Sequence, residues 1–69
     1  MSRELQIAEL IAQGLTNRAI AHRLYLSPHT VGTHVKNLLA KLQFSSRSQI
    51  AAWLTDHVRR VEGAREANL

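Results

Sequence analysis

The chain contains no cysteine among its 69 residues, and it has only one proline and one each of tryptophan, tyrosine and phenylalanine. The absence of cysteine excludes a disulfide framework, a zinc site with thiolate ligands and thiol redox chemistry. A chain of this length forms one small domain with a marginal core and no room for a large catalytic cleft. A partner or a second copy of the chain would therefore add to its stability.

Long apolar runs are also missing. No run approaches the ~18 residues that a membrane span requires, and the N-terminus lacks the basic and then apolar pattern of a signal peptide. We therefore expect a soluble, cytoplasmic protein that has no membrane partner.

Acidic residues are absent from the middle of the chain. None occurs between Glu9 and Asp56, and the overall net charge is +4. The basic residues of this interval are Arg18, Arg23, Lys36, Lys41 and Arg47. A basic centre between ends of mixed charge predicts that the middle of the chain binds a polyanion. The alternative is that this charge only aids solubility.

The stretch from Ser27 to Leu42, SPHTVGTHVKNLLAKL, has the pattern of one helix with two different faces. Ser27 is a suitable capping residue, and Pro28 suits the first helical position. Apolar residues at spacings of four, three and four form the stripe predicted to be buried: Val31, Val35, Leu38 and Leu42. The other face is small, polar or basic, which suits phosphates and base edges. The alternative is a bundle helix with a solvated outer face.

Three further helices are predicted around this one. The first runs from about Arg3 to Gln13, with Ser2 as its cap, and Gly14 ends it. The second is short and begins after the capping residue Thr16. A tight turn joins the second helix to the long one, so the pair has the form of a helix-turn-helix.

The fourth helix is predicted to begin at Ser46, where Gln49 three residues later fits a capping box. An apolar stripe at spacings of four, four and three follows, formed by Ile50, Leu54, Val58 and Val61. The predicted fold class is therefore all-α, with four short helices and a central helix-turn-helix. We expect a domain over residues 1–62 and a flexible C-terminal tail over residues 63–69.

The run IAQGLTNRAIAHRLYLSPHTVGTHVKNLLAKL, followed by SSRSQ, closely resembles the DNA-binding domain of LuxR/NarL/FixJ-type bacterial transcription regulators. The resemblance covers roughly Ser2 to Val58. It implies that the helix from Ser27 lies in the DNA major groove and that the fourth helix mediates formation of a homodimer. It also implies a receiver or ligand-sensing domain in a longer parent protein, and RNA polymerase as a further partner. We expect either an excised domain or a short stand-alone regulator.

Some positions depart from the pattern of this family. Gly32 stands where relatives often carry Lys or Arg, so one expected base contact is absent. Glycine there also costs ~1 kcal/mol of helix stability relative to alanine. Gln43 replaces a common glycine, so we expect that helix end to be strained or rearranged. Ala8 replaces a larger apolar residue, and Ala19 replaces a frequent glutamate.

The resemblance and the polar face of the long helix together define three groups of candidate residues. The candidates for base contacts are Thr33, Lys36, Asn37 and Gly32. Lysine donates to guanine, asparagine pairs with adenine, and threonine contacts the thymine methyl group. The candidates for phosphate contacts are Thr16, Asn17, Arg18, Thr30, His34, Lys41 and Arg47. The candidates for the dimer interface are Trp53, Leu54 and His57. In the alternative interpretation the polar residues are hydrated, His34 is hydrogen-bonded within the fold, and Trp53 belongs to the core.

The function predicted from these features is sequence-specific binding of double-stranded DNA. A sigma-factor-like promoter-reading domain is the closest alternative, since it shares the Thr-Val pair at the start of the recognition helix. A second alternative is an interaction module that kept the fold and lost DNA binding. An enzyme is not expected, because the four histidines lack the H-E-x-x-H arrangement and the middle of the chain has no carboxylate pair. We expect no metal or other cofactor.

Overall fold

A computed structural model describes the backbone of residues 3–67 and the side chains of residues 3–61. It contains four helices and no strand within residues 3–67: α1 (Arg3–Ala12), α2 (Asn17–Leu24), α3 (Pro28–Leu42) and α4 (Arg47–Ala67). The predicted all-α fold with a central helix-turn-helix is confirmed. The predicted Ser2 cap and the last two residues of the predicted tail lie outside the described residues.

The fourth helix continues further than the sequence indicates. The sequence places a tail after residue 62, but helical backbone passes through Gly63 and ends at Ala67. A Cβ atom added to Gly63 would meet no described atom of another part of the chain within 4 Å, and its backbone does not adopt a positive φ. Glycine is tolerated inside a helix at a cost of ~1 kcal/mol relative to alanine, which does not suffice to end this one. The flexibility of residues 63–69 stays a prediction.

The core lies where the four helices meet. Each helix contributes one large side chain that is fully enclosed: Ile7, Ile20, Val31 and Ile50. Along the chain, α1 packs mainly against α4, and α2 packs mainly against α3. Ala21 is 2% exposed on α2, and its small side chain allows α2 and α3 to lie close together. The contact between α2 and α3 sets the geometry of the helix-turn-helix.

The starts of the middle helices are capped as the sequence predicts. The hydroxyl oxygen of Thr16 accepts from the Ala19 N–H over 3.1 Å. The hydroxyl oxygen of Ser27 accepts from the Thr30 N–H over 3.1 Å, and Pro28 follows as the first helical residue. These bonds satisfy N–H groups that have no partner inside a helix, so each start is determined by a local interaction.

The capping box predicted for α4 is formed on one side. The Gln49 side-chain oxygen accepts from the backbone N–H groups of Ser45 and Ser46 over 2.7 and 2.9 Å. The Gln49 N–H donates to the Ser46 carbonyl over 3.2 Å rather than to its hydroxyl. Gln49 is therefore the residue that fixes where α4 begins.

Helices α1, α2 and α3 end with closely similar backbone turns. After α1, the Leu15 N–H donates to the Leu10 carbonyl over 3.1 Å, and the Gly14 N–H donates to the Ile11 carbonyl over 2.9 Å. This turn requires a residue with a positive φ, which glycine adopts freely. Gly14 has a φ of 89°, which confirms the prediction that it ends the helix.

After α2 and α3, the turn is made by residues that carry a Cβ atom. Tyr25 has a φ of 59° and Gln43 a φ of 57°, a conformation that costs a non-glycine residue roughly 1–2 kcal/mol. The strain expected at Gln43 is present, and the second strained position was not predicted. In all three turns the next residue is apolar and packs against the core: Leu15, Leu26 and Phe44. Burial of that residue offsets the strain.

Substituting Gln43→Gly should raise the free energy of unfolding by ~1 kcal/mol, because glycine adopts a positive φ without a Cβ clash. The matched control is Ala40→Gly, three residues earlier and also exposed but inside α3. It should lower the free energy of unfolding by ~1 kcal/mol. Urea unfolding followed by circular dichroism measures both variants. The same sign of effect in both would contradict a strained turn at Gln43.

Candidate nucleic-acid interface

Helix α3 presents two faces, as its sequence pattern predicts. Val31, Val35 and Leu38 are buried, and Leu42 at the end of the stripe is half-buried. On the opposite face the exposed residues are His29, Thr33, Lys36, Asn37 and Ala40. This exposed face contains no acidic residue and continues for three turns. It is the part of the chain best suited to a strongly negative surface.

Three of the four predicted base contacts lie on this exposed face. Lys36 and Asn37 are neighbours there, and neither side chain hydrogen-bonds to another described residue. Thr33 donates its hydroxyl proton to the His29 carbonyl over 3.2 Å. While that bond is kept, Thr33 offers only its methyl group and oxygen lone pairs to a ligand. His29 shares this surface at the start of α3, and the sequence analysis did not list it among the contacts.

The fourth predicted base contact, Gly32, lies at the edge of this face beside α2. A Cβ atom added to Gly32 would lie 3.9 Å from the side-chain nitrogen of Asn17. That distance is an ordinary van der Waals contact, so the site has room for a small side chain. Gly32 itself can contact DNA only through its backbone, and it places no side chain against the Asn17 amide.

The start of α3 also carries a pair of hydroxyl groups. The hydroxyl oxygens of Ser27 and Thr30 lie 2.8 Å apart, so one donates to the other. Thr30 is half-buried, as is His34 one turn further along. The His34 ring makes no hydrogen bond to any described residue, so no such bond supports the structural alternative considered for it.

The predicted phosphate contacts at the start of α2 lie beside this face. Thr16 caps the helix, Arg18 is exposed, and Asn17 is half-buried. Arg47, the first residue of α4, reaches across to this point. Its Nη2 donates to the Leu15 carbonyl over 2.6 Å, and its Nη1 donates to Oδ1 of Asn17. Arg47 is therefore not a free surface cation, since two of its donors are already used inside the domain.

Lys41 also has a partner within the domain, which the sequence analysis did not foresee. Its ammonium nitrogen lies 2.9 and 2.8 Å from the two carboxylate oxygens of Glu4 on α1. Both side chains border a groove together with Leu38, Trp53 and His57. The contact with Glu4 joins residues 37 positions apart and places the charge of Lys41 beside α1 and α4.

The predicted dimer residues divide between the core and the surface. Leu54 is 5% exposed and packs in the core, so little of its side chain is left for a second copy of the chain. Trp53 is half-buried, and its ring stacks on His57 with centroids 5.7 Å apart and planes 18° apart. Val58 and Val61, which are 42% and 45% exposed, were not among the predicted dimer residues. The sequence indicated their exposure in one way only: the apolar stripe of the fourth helix is longer than the first helix, which packs on it.

Within the described residues, His, Asp and Glu side chains nowhere gather in a group of three that could hold a metal ion. None of the helices formed by residues 3–67 is both long and apolar enough to cross a membrane.

Comparison with known proteins agrees with this geometry. The family described as "Bacterial regulatory proteins, luxR family" matches residues 2–54. The chain is 48% identical over 52 residues to the nitrate/nitrite response regulator protein NarL of Escherichia coli K12, which covers 75% of this chain and 24% of that protein. It is 47% identical over 51 residues to the transcriptional regulatory protein LiaR of Bacillus subtilis, covering 74% of this chain and 24% of that protein.

A third relative is the CsgBAC operon transcriptional regulatory protein of Escherichia coli K12, 38% identical over 58 residues, or 84% of this chain and 27% of that protein. The chain thus spans about a quarter of the length of these relatives. A family match over most of the sequence, on a helix-turn-helix whose exposed α3 face has no acidic residue, establishes that the chain belongs to the LuxR family of DNA-binding bacterial transcription regulators.

Proposed function

We propose that the chain binds double-stranded DNA sequence-specifically as the output domain of a bacterial transcription regulator, with α3 in the major groove. The observation that carries this proposal is the exposed face of α3, which presents Lys36 and Asn37 without a competing internal partner. A helix of this width enters the major groove of B-form DNA, where lysine donates to guanine and asparagine pairs with adenine.

Phosphate contacts on either side of α3 would set the position of the domain on DNA. Thr16, Asn17 and Arg18 lie at the start of α2, and Thr30 and His34 lie along the flank of α3. Such contacts fix register and orientation without reading sequence.

The remaining two phosphate candidates are already engaged within the domain. Lys41 would have to exchange Glu4 for a phosphate. A surface ion pair contributes only about 0–1 kcal/mol, so this exchange is inexpensive. Arg47 keeps two of its donors inside the domain and would act on DNA through its remaining N–H groups or its charge.

The relatives favour this proposal over its alternatives. They are described as response regulators and transcriptional regulatory proteins, which supports a regulator's output domain over a sigma-factor-like domain and over an enzyme. Because the chain spans about a quarter of their length, a receiver or ligand-sensing domain in a longer parent protein is part of the proposal. Action in the cytoplasm and contact with RNA polymerase follow from the same proposal. An interaction module that lost DNA binding would not require an exposed α3 face without any acidic residue.

Replacing Lys36 by alanine should remove most of the preference for an inverted-repeat duplex over a scrambled duplex, a change of ~1–3 kcal/mol. Wild-type affinity for both duplexes should fall steeply with salt, because cations bound to phosphates release counterions. Fluorescence anisotropy titrations at several salt concentrations measure both effects.

The matched control for Lys36→Ala is Arg60→Ala, which removes one charge from α4, where Arg60 pairs with Asp56. It should leave the preference between the duplexes intact. An equal loss of preference in both variants, or no binding by the wild type at low salt, would overturn groove reading by α3.

We further propose that α4 pairs with α4 of a second copy on DNA. The helix has 21 residues, about 31 Å, whereas α1, which packs against it, has 10. The second half of α4 therefore extends past the core, and it exposes Val58 and Val61 on that extension. The stacked rings of Trp53 and His57 border the same helix. Two-fold pairing of such a helix matches two half-sites of an inverted repeat.

The double variant Val58→Ser, Val61→Ser should lose cooperative binding of two copies to an inverted repeat and keep its affinity for a single half-site. The reason is that the apolar contact between copies would be lost while α3 is unchanged. The control Thr55→Ser retains the hydroxyl that bonds to the Ala51 carbonyl on the same helix. Gel-shift titrations on full-site and half-site duplexes measure the difference. Unchanged cooperativity in the double variant would exclude pairing through this part of α4.

A further inference from the structure

Arg47 links the start of α4 to the start of α2. It is 30 residues from Asn17 in sequence, and its guanidinium donates to Oδ1 of that side chain. A second donor of the same guanidinium bonds to the Leu15 carbonyl in the turn before α2, over 2.6 Å. Two donors on one planar group hold the Asn17 side chain at a fixed distance from the backbone.

No carboxylate takes part in this arrangement. The ion pairs found among the described residues join Lys41 to Glu4 and Arg60 to Asp56. Arg47 contacts only neutral oxygen atoms, so its positive charge remains uncompensated at the start of α2. This charge favours a negatively charged ligand near Asn17.

The contact also determines which end of the Asn17 amide points away from α4. A guanidinium has donors and no acceptor, so the amide must present its oxygen to Arg47. Its nitrogen, Nδ2, is then directed toward Gly32 on α3, where a Cβ atom would lie 3.9 Å away. Asn17 Nδ2 makes no hydrogen bond to another described residue. Because Gly32 has no side chain, no Cβ atom lies between this donor and the backbone of α3 at that point.

We propose that Arg47 is a positioning residue, and that it holds Asn17 so that the Nδ2 donor binds a DNA backbone phosphate beside α3. This inference rests on the proposed function, and it separates two residues that the sequence placed in one group of phosphate contacts. Asn17 makes the contact, and Arg47 orients it and supplies uncompensated positive charge. The contact carries no sequence information, since every nucleotide has the same phosphate.

The variant that tests this assignment is Asn17→Asp. An aspartate keeps the oxygen that faces Arg47 and turns that contact into an ion pair, so the melting temperature should be unchanged or higher. The second oxygen replaces the Nδ2 donor and repels phosphate. We therefore expect Kd to rise roughly tenfold or more, equally on an inverted-repeat and a scrambled duplex. A purely structural role for Asn17 would not lower affinity while preserving stability.

The matched control is Gln13→Glu, which makes the same change from amide to acid at an exposed position four residues earlier. It accounts for the long-range effect of one added negative charge. Its Kd should rise much less than that of Asn17→Asp.

A second variant, Arg47→Lys, tests the positioning role. Lysine keeps the charge but lacks the planar fork that bonds to two oxygens at once. We expect weaker binding to both duplexes with an unchanged salt dependence. In ¹⁵N-resolved NMR spectra, the Asn17 side-chain NH₂ signals of the wild type should shift when DNA is added, and those of Arg47→Lys should shift less. If Arg47→Lys does not fold, Asn17→Asp with Arg47 intact carries the test.

The outcomes separate this inference from the proposed function. Salt-dependent binding by the wild type, together with equal affinities of Asn17→Asp and Gln13→Glu, overturns only the role of Asn17 and Arg47. A selective loss of preference between the duplexes in Asn17→Asp assigns Asn17 to base reading and overturns the phosphate contact. No binding by the wild type at low salt overturns the proposed function and this inference together.

Discussion

The fold depends on the turns between its helices, because each turn must reverse the chain and also place an apolar residue in the small core. Three similar turns do this, and each returns one apolar residue to the core: Leu15, Leu26 and Phe44. Two of the turns are made by Tyr25 and Gln43, which adopt a positive φ despite carrying a Cβ atom. A domain of this size has few residues to bury, so the burial of Leu26 and Phe44 outweighs the strain of the turns before them.

This core determines which surface is left for DNA. The valines and Leu38 of α3 point inward because α2, held close through Ala21, covers one side of the helix and α1 covers another. The opposite face of α3 is then exposed, and it lies beside the start of α2. Arg47 bonds the start of α4 to the turn before α2. The same contact therefore holds the fold together and positions residues of the proposed DNA-binding surface.

The basic side chains differ in whether they have a carboxylate partner. Among the described side chains, the cations paired with carboxylates are Lys41, which lies beside α1, and Arg60, which lies on the extension of α4. By contrast, Arg18 and Lys36 have no carboxylate partner within the described residues, and Arg47 contacts neutral oxygens only. Positive charge without a carboxylate partner therefore lies beside the outer face of α3, while Val58 and Val61 leave an exposed apolar surface on α4.

The features that could be predicted from the sequence alone are those formed by residues close together in the chain. The four helices, the caps at Thr16 and Ser27, the turn at Gly14 and the two faces of α3 all depend on residues within five positions of one another. Patterns and capping rules describe such interactions well. The exposed positions of Thr33, Lys36 and Asn37 followed from the same periodicity, because the buried stripe of a helix also defines its outer face.

Only the tertiary structure decided the contacts between residues distant in the chain. The pairs Arg47 with Asn17 and Lys41 with Glu4 join positions 30 and 37 residues apart, so they depend on how helices pack, and no local pattern encodes that. The same holds for Leu54, which is in the core, and for Val58, which is outside it, although both belong to one stripe of α4. Periodicity identifies the apolar side of a helix, but the length of the neighbouring helix decides how much of that side is buried.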